Sequence, residues 1–428
     1  MYHSGVGGGG FMTVRSSKGE YEFIDFREMA PGAAFESMYS KDINLSLVGG
    51  LASGVPGEVR GLEYLHKKYA SKPWKELLQP AIKVARDGFK VGPDLIKYIA
   101  NTPNSTFLVS DPSWAIDFAP NGTLVKLGDT MYRRRYAATL ATIADYGPNA
   151  FYHGSLANAT IHALQQTGGS MTLADLANYS IKIRPHSNIT YRGFKITSGS
   201  APSSGAVVLS ALKIVEGYDM STPSQLNYST HYLDEAMKFG YGQRTELGDP
   251  TFVTNLTTYQ QRMYSEHTAA ELRGMIKANG VLINQEYNPS SYDILADDGT
   301  SAAVAADKSG LTIAITSTIN TLFGSQLMVP ETGVVMNNEM NGKFSLTFSK
   351  CHLLTKSQTS ASQTQPTPSA SPPPPPITSN PSNAPSPPSP PQSSNTPTAA
   401  STSPTPPPAA PVSSPKSSNT SGTCSTKT

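Results

Sequence analysis

Thr300 stands where a side-chain hydroxyl could become a nucleophile. It follows Asp298-Gly299 and opens a strand-like run. Ser301–Ala306 and Leu311–Thr318 are short stretches rich in Val, Ile, Thr and Ala, separated by the turn-forming Asp307-Lys308-Ser309-Gly310. This pattern predicts a β-hairpin with Thr300 at the start of its first strand. A hydroxyl there can attack the preceding carbonyl, shift the acyl group from N to O, and be freed by hydrolysis. The new α-amine, with an ordinary pKa of about 7.7–8.0, then serves as base for the hydroxyl of the same residue. Gly299 suits such a bond because a residue without Cβ tolerates strain and close approach. The same Thr-rich stretch is also compatible with ordinary β-branched strand residues.

The elements that must position Thr300 lie far upstream. Tyr21–Phe26 predicts a strand. Val59, Leu62, Leu65 and Tyr69 fall on one helical face, and Leu77, Ile82 and Ala85 on another. Tyr191–Thr197 is strand-like, and Val207 through Val215 reads as the start of a buried helix with Leu209, Leu212 and Val215 on one side. Phe239-Gly240-Tyr241-Gly242 follows a further helical run, because glycine is unfavourable inside a helix. Gly5, Gly7 and Gly10 fit G-x-G-x-x-G, but no strand precedes them, so a flexible or tightly packed loop is expected rather than a dinucleotide site.

Composition narrows the function. A chain of 428 residues can bury a large core, and its net charge of +2 gives no electrostatic reason to expect a nucleic-acid partner. No apolar run approaches the roughly 18 residues of a membrane span. Met1 leads directly into a Gly-rich segment, which offers no signal peptide. Asn-x-Ser/Thr sequons at Asn44, Asn104, Asn121, Asn158, Asn178, Asn188, Asn227, Asn255 and Asn419 point to passage through a glycosylating compartment. Cys351 and Cys424 are the two cysteines, and no Cys/His metal spacing occurs, so no metal is expected. Most of the 35 prolines lie beyond residue 353 among Ser and Thr, which predicts a disordered tail, read either as a mucin-like spacer or as a segment without a role.

The stretch around Thr300 resembles the γ-glutamyltranspeptidases, N-terminal-nucleophile hydrolases that cleave themselves before a nucleophilic Thr. Thr316-Ser317-Thr318-Ile319-Asn320, Phe323-Gly324-Ser325 and Asn337-Asn338-Glu339-Met340 carry the resemblance downstream. Upstream it is carried by Ser4–Met12, Asp25-Phe26-Arg27-Glu28-Met29-Ala30-Pro31, Gly54-Val55-Pro56-Gly57 and Trp74 through Ala85. Ala150-Phe151-Tyr152, Leu173–Tyr179, Pro202-Ser203-Ser204-Gly205 and Leu247-Gly248-Asp249-Pro250 continue it. Together these motifs cover roughly residues 3–341.

The resemblance implies an α/β (α+β) fold, a four-layer αββα sandwich. Residues 1–299 would correspond to the large chain, 300–350 to a truncated small chain, and 351–428 to the Pro/Ser/Thr-rich tail. It implies cleavage between Gly299 and Thr300, with Thr300 as nucleophile and the Thr318 hydroxyl assisting it. Arg27 would clamp a substrate α-carboxylate, since a guanidinium fork holds a carboxylate in two places. Asn320 and Glu339 would hold the α-ammonium, which needs acceptor oxygens. The implied donors are glutathione and γ-glutamyl peptides, and the acceptors are water, amino acids or peptides. No cofactor is implied. The two chains would stay associated after cleavage, in the extracellular space, on the outer face of the plasma membrane, or in the cell wall.

The sequence also departs from the family. Ala302 and Val304 stand where the family usually has His and Ser. After Met340 comes Asn341-Gly342-Lys343-Phe344, without the acidic residue that shares the ammonium contact, and the Ser-Ser pair and paired glycines of the oxyanion hole have no counterpart. Loss of one such donor typically costs about 10²–10³ in rate. Gly-Lys-Phe can be encoded by GGT-AAG-TTC, which contains a splice-donor-like GTAAGT, so the tail also reads as a translated intron. An inactive relative, kept as a glycosylated surface or interaction protein, and a related amide acylase therefore stand beside the transferase reading.

Overall fold

The computed structural model describes residues 1–222, 226–290 and 300–340. Its strands are β1 (Gly9–Arg15), β2 (Tyr21–Asp25), β3 (Phe89–Lys90), β4 (Thr130–Met131), β5 (Lys182–Arg184), β6 (His186–Tyr191), β7 (Phe194–Gly199), β8 (Ser301–Ala306) and β9 (Thr312–Thr318). Five of them form one antiparallel sheet in the order β5-β2-β1-β9-β8. The predicted hairpin is its β8–β9 edge. Asp307 makes that turn: its Oδ1 accepts from the Ser309 and Leu311 amides at 2.8 and 3.2 Å, and Gly310 takes a φ of +85°.

The glycine-rich opening is packed, not flexible. It runs into β1, which pairs with β9 from Gly9↔Thr318 to Arg15↔Thr312. A Cβ at Gly8 would lie 1.9 Å from the Thr318 carbonyl oxygen, and one at Gly10 1.9 Å from that of Thr316. These glycines let the first strand close on the strand that carries Thr318.

Period-two alternation gives the sheet two different faces. Met12, Val14, Ile24 and Phe26 are buried on one side against Tyr64, Leu65 and Tyr69 of the helix Glu58–Tyr69, with Ile313 and Ile315 beside them. On the other side the Phe11 and Phe23 rings lie 5.6 Å apart, and Gly199 of β7 sits directly on the Phe23 ring. The β6–β7 hairpin therefore forms a second, smaller sheet. The helix Gly205–Glu216 packs against its strands. The sequence of layers is helix, sheet, hairpin sheet, helix, in agreement with the αββα expectation. β8 lies at the open edge, and Val304 on it is 75% exposed. No helix among the described residues is long and apolar enough to cross a membrane.

Four local expectations change. Tyr191–Thr197 is not one strand, because Arg192-Gly193, with φ of +49° and +85°, turn the chain between β6 and β7. The helix expected from Val207 begins at Gly205. In the helix Trp74–Asp87, Leu78 rather than Leu77 joins the face of Ile82 and Ala85, and Leu77 is 46% exposed. Phe239-Gly240-Tyr241-Gly242 lies inside the helix Leu226–Arg244, and a Cβ at Gly242 would strike the Tyr287 carbonyl oxygen at 1.9 Å. Close helix packing outweighs the helix propensity lost there. Gly299, Asn341–Phe344, the cysteines, Asn419 and the tail from 351 lie outside the described residues.

Candidate active site

Thr300 and Thr318 are brought together by strand register. β8 pairs with β9 from Ala306↔Thr312 to Ser301↔Ser317, a register that, continued by one residue, opposes Thr300 to Thr318. Directly opposed residues of an antiparallel pair project to the same face. Thr300 is exposed, and Thr318 is 2% exposed. The Thr318 Oγ1 accepts from the Asn320 amide at 2.8 Å, which leaves its O–H hydrogen to donate elsewhere.

The opposite face of the hairpin is also polar. Ser4 Oγ donates to Ser301 Oγ at 3.1 Å, and Ser317 Oγ donates to Glu58 Oε2 at 2.9 Å. Burial pushes the Glu58 carboxyl up to about 7, against the lowering effect of the Ser317 hydrogen bond. No motif in the sequence marks Glu58, and its importance comes entirely from burial.

Arg27 leaves the end of β2 with its backbone fixed at both ends. Its amide donates to Asp25 Oδ1 at 2.9 Å, and its carbonyl accepts from the Tyr179 hydroxyl at 2.8 Å. Asp25 is itself held by Arg184 Nε at 2.5 Å. The Arg27 guanidinium lies 5.7 Å over the Phe11 ring, and its Nε is 3.7 Å from Glu28 Oε2. Its Nη2 donates to Glu339 Oε1. The groups expected to hold a carboxylate and an ammonium thus hold each other. Glu339 is 4% exposed, and its Oε2 is buried with no hydrogen-bond partner among the described residues.

Asn320 adopts a φ of +72°, a conformation Asn tolerates better than most residues. Its Nδ2 donates to the Asn338 carbonyl at 3.1 Å. Only the NH₂ end can make that bond, so the amide is oriented and Oδ1 remains as acceptor. Asn338 and Asn337 are fully buried. Asn338 donates to the Leu47 carbonyl and accepts from the Thr321 amide, each at 3.1 Å. The preceding turn is clamped from the helix Arg134–Tyr146 and its N-terminal flank. Arg133 donates to the Gly333 carbonyl, Arg135 to that of Pro330 at 2.6 Å, and Thr139 to that of Thr332 at 2.9 Å. The sequence offers Asn337-Asn338 as part of a motif without a role; their partners are distant in the chain, and burial was the missing signal.

A sequence model of the family described as Gamma-glutamyltranspeptidase matches residues 1–398, past the last of the motifs quoted above. The glutathione hydrolase proenzyme of Arthroderma benhamiae is 53% identical over 345 residues, covering 80% of this chain and 59% of that protein. The γ-glutamyltranspeptidase structure from Helicobacter pylori superposes with a TM-score of 0.60 at 30% identity, covering 66% of this chain and 82% of that one. Cephalosporin acylase from Bacillus halodurans gives a TM-score of 0.67 at 25% identity, covering 81% of this chain and 63% of that one. The chain spans somewhat under three-fifths of the length of several curated relatives it matches. With the strand order, the Thr300–Thr318 register and the Arg27–Glu339 pair in place, these matches establish that the chain belongs to the γ-glutamyltranspeptidase family.

Proposed function

We propose that this chain is a γ-glutamyltransferase and glutathione hydrolase that activates itself by cleavage before Thr300. In that step Thr300 Oγ attacks the Gly299 carbonyl carbon and the Gly299–Thr300 amide bond breaks. Water then hydrolyses the resulting ester, leaving a Gly299 carboxylate and a free Thr300 α-amine. The amine takes the proton of Thr300 Oγ as that oxygen attacks a γ-glutamyl amide, and the departing amine leaves with a proton. Water, an amino acid or a peptide then releases the γ-glutamyl group from the ester. Thr318 assists the nucleophile, Arg27 binds the α-carboxylate, and Asn320 and Glu339 bind the α-ammonium. The two chains produced by cleavage remain associated.

The observation that carries this reading is the buried Oε2 of Glu339, without a hydrogen-bond partner among the described residues, beside the Arg27 guanidinium. An α-amino acid supplies a partner to each. Turnover of a γ-glutamyl anilide tests it: activity that falls on Arg27→Ala is expected, and activity indifferent to Arg27 would favour an amide acylase without a free α-carboxylate in its substrate. A catalytically inactive relative is the second reading. It is favoured by Ala302 and Val304 near the nucleophile and by the missing counterparts of the oxyanion-hole Ser-Ser and glycine pairs. No turnover of the anilide by the intact chain would select it.

We also infer a secreted or cell-surface glycoprotein. Every sequon asparagine among the described residues, from Asn44 to Asn255, is exposed. A mass decrease on endoglycosidase treatment of protein made in a eukaryotic secretory host supports this, and an unchanged mass contradicts it.

A further inference from the structure

We infer that Asn337 is a positioning residue for substrate recognition, setting the separation between the Arg27 guanidinium and the Glu339 carboxylate. This rests on the reading of those two groups given above. Asn337 is completely buried and uses every hydrogen-bonding position of its amide. Its Oδ1 accepts from the Gly54 amide at 2.9 Å and the Glu339 amide at 3.0 Å. Its Nδ2 donates to the Gly7 and Gly54 carbonyls, both at 2.8 Å.

These bonds attach one side chain to both halves of the pair. The Glu339 half is direct, because the Oδ1 bond to its amide closes a local turn just before the carboxylate. The Arg27 half runs through Gly54. The next residue, Val55, exchanges backbone hydrogen bonds with Met29 at 2.7 and 3.2 Å, and Met29 lies two residues after Arg27. A Cβ at Gly54 would lie 3.0 Å from Glu28 Cβ, so the two segments cannot slide apart or together freely. The bond to Gly7 ties the arrangement to the glycine-rich opening that closes on β9. The distance between the charges of an α-amino acid is fixed, so a site that recognises both needs this separation held.

Asparagine is specific for the task. Aspartate would keep two acceptors but lose both donations, and would set a charge against the Gly7 and Gly54 carbonyls. Glutamine would need room for a methylene where all four partners are already within hydrogen-bond distance.

The test is steady-state kinetics on a γ-glutamyl anilide together with competition by L-glutamate and by glutarate, which lacks the ammonium. Asn337→Asp is expected to raise KM about tenfold or more, with a smaller effect on kcat, and to reduce the preference for L-glutamate over glutarate. Unchanged KM and unchanged preference in a folded Asn337→Asp protein would overturn the inference while leaving the proposed function standing. A wild-type chain that neither turns over the anilide nor binds L-glutamate would overturn the proposed function, and this inference with it. Should Asn337→Asp fail to fold, as judged by circular dichroism, Asn337→Ser is measured in the same way. Loss of fold in both variants would assign Asn337 to stability alone and reject the positioning role.

Discussion

The Arg27 guanidinium and the Glu339 carboxylate bind each other, 312 residues apart in sequence. The pair is well shielded, with the side chains 23% and 4% exposed. Removing one partner of such a pair strands the other charge away from water, which is more costly than the pair is stabilising. A ligand that brings both a carboxylate and an ammonium replaces both partners at once. A ligand with only the carboxylate occupies Arg27 and strands the buried Glu339, whereas one with only the ammonium leaves Arg27 to Glu28.

This exchange predicts a sharp preference for complete α-amino acids. L-Glutamate should compete with a γ-glutamyl anilide at least about tenfold better than glutarate or 4-aminobutyrate, a factor that one lost charge-assisted contact readily supplies. Inhibition constants for the three compounds check this. Equal inhibition by all three would contradict the exchange.

Lysine should not replace Arg27. It keeps the charge but not the planar fork, and its ammonium cannot hold both oxygens of a substrate carboxylate in fixed geometry. Arg27→Lys is expected to lower kcat/KM about tenfold or more, chiefly through KM. Kinetics on the purified variant, with its melting temperature as a control for folding, decide the matter. Full activity in Arg27→Lys would show that charge alone suffices.

Glu58 should make stability depend on pH. Its carboxyl is raised by burial from the ordinary 4.5 to about 7. The folded state therefore binds a proton that the unfolded state releases between these values. The stabilising contribution is fully present below about 4.5 and is lost as pH rises through about 7, for a total of about 3 kcal/mol. Glu58→Gln keeps a partner for Ser317 and removes the titration. Chemical denaturation from pH 4 to 8 should therefore give a flatter stability profile for the variant than for the parent chain. Identical profiles would rule out Glu58 as the source.

The legibility of this chain followed the reach of its interactions. The β8–β9 hairpin is readable because Asp307 and Gly310 make its turn locally, and the register that points Thr300 toward Thr318 follows from that turn. Arg27, Thr318, Asn320 and Glu339 stand out in the sequence only because their surrounding motifs resemble a family. Nothing local distinguishes Arg27-Glu28 from a surface ion pair. The β6–β7 turn is hidden in the sequence, because Arg192-Gly193 interrupts a stretch whose composition stays strand-like on both sides. The neighbouring Leu77 and Leu78 leave the phase of that helix ambiguous in the sequence. Asn337 was invisible as a hub because its partners Gly54 and Gly7 lie 283 and 330 residues away. Gly8, Gly10 and Gly242 report close backbone approach, which sequence cannot separate from flexibility.

Self-cleavage before Thr300 would be visible at once in the N-termini of the mature protein. The chain is expressed, separated on a denaturing gel, and each band sequenced from its N-terminus. Two bands are expected, the smaller beginning Thr300-Ser301-Ala302-Ala303, and a single uncut band for Thr300→Ala. One uncut band from the parent chain, or cleavage that persists in Thr300→Ala, would contradict it.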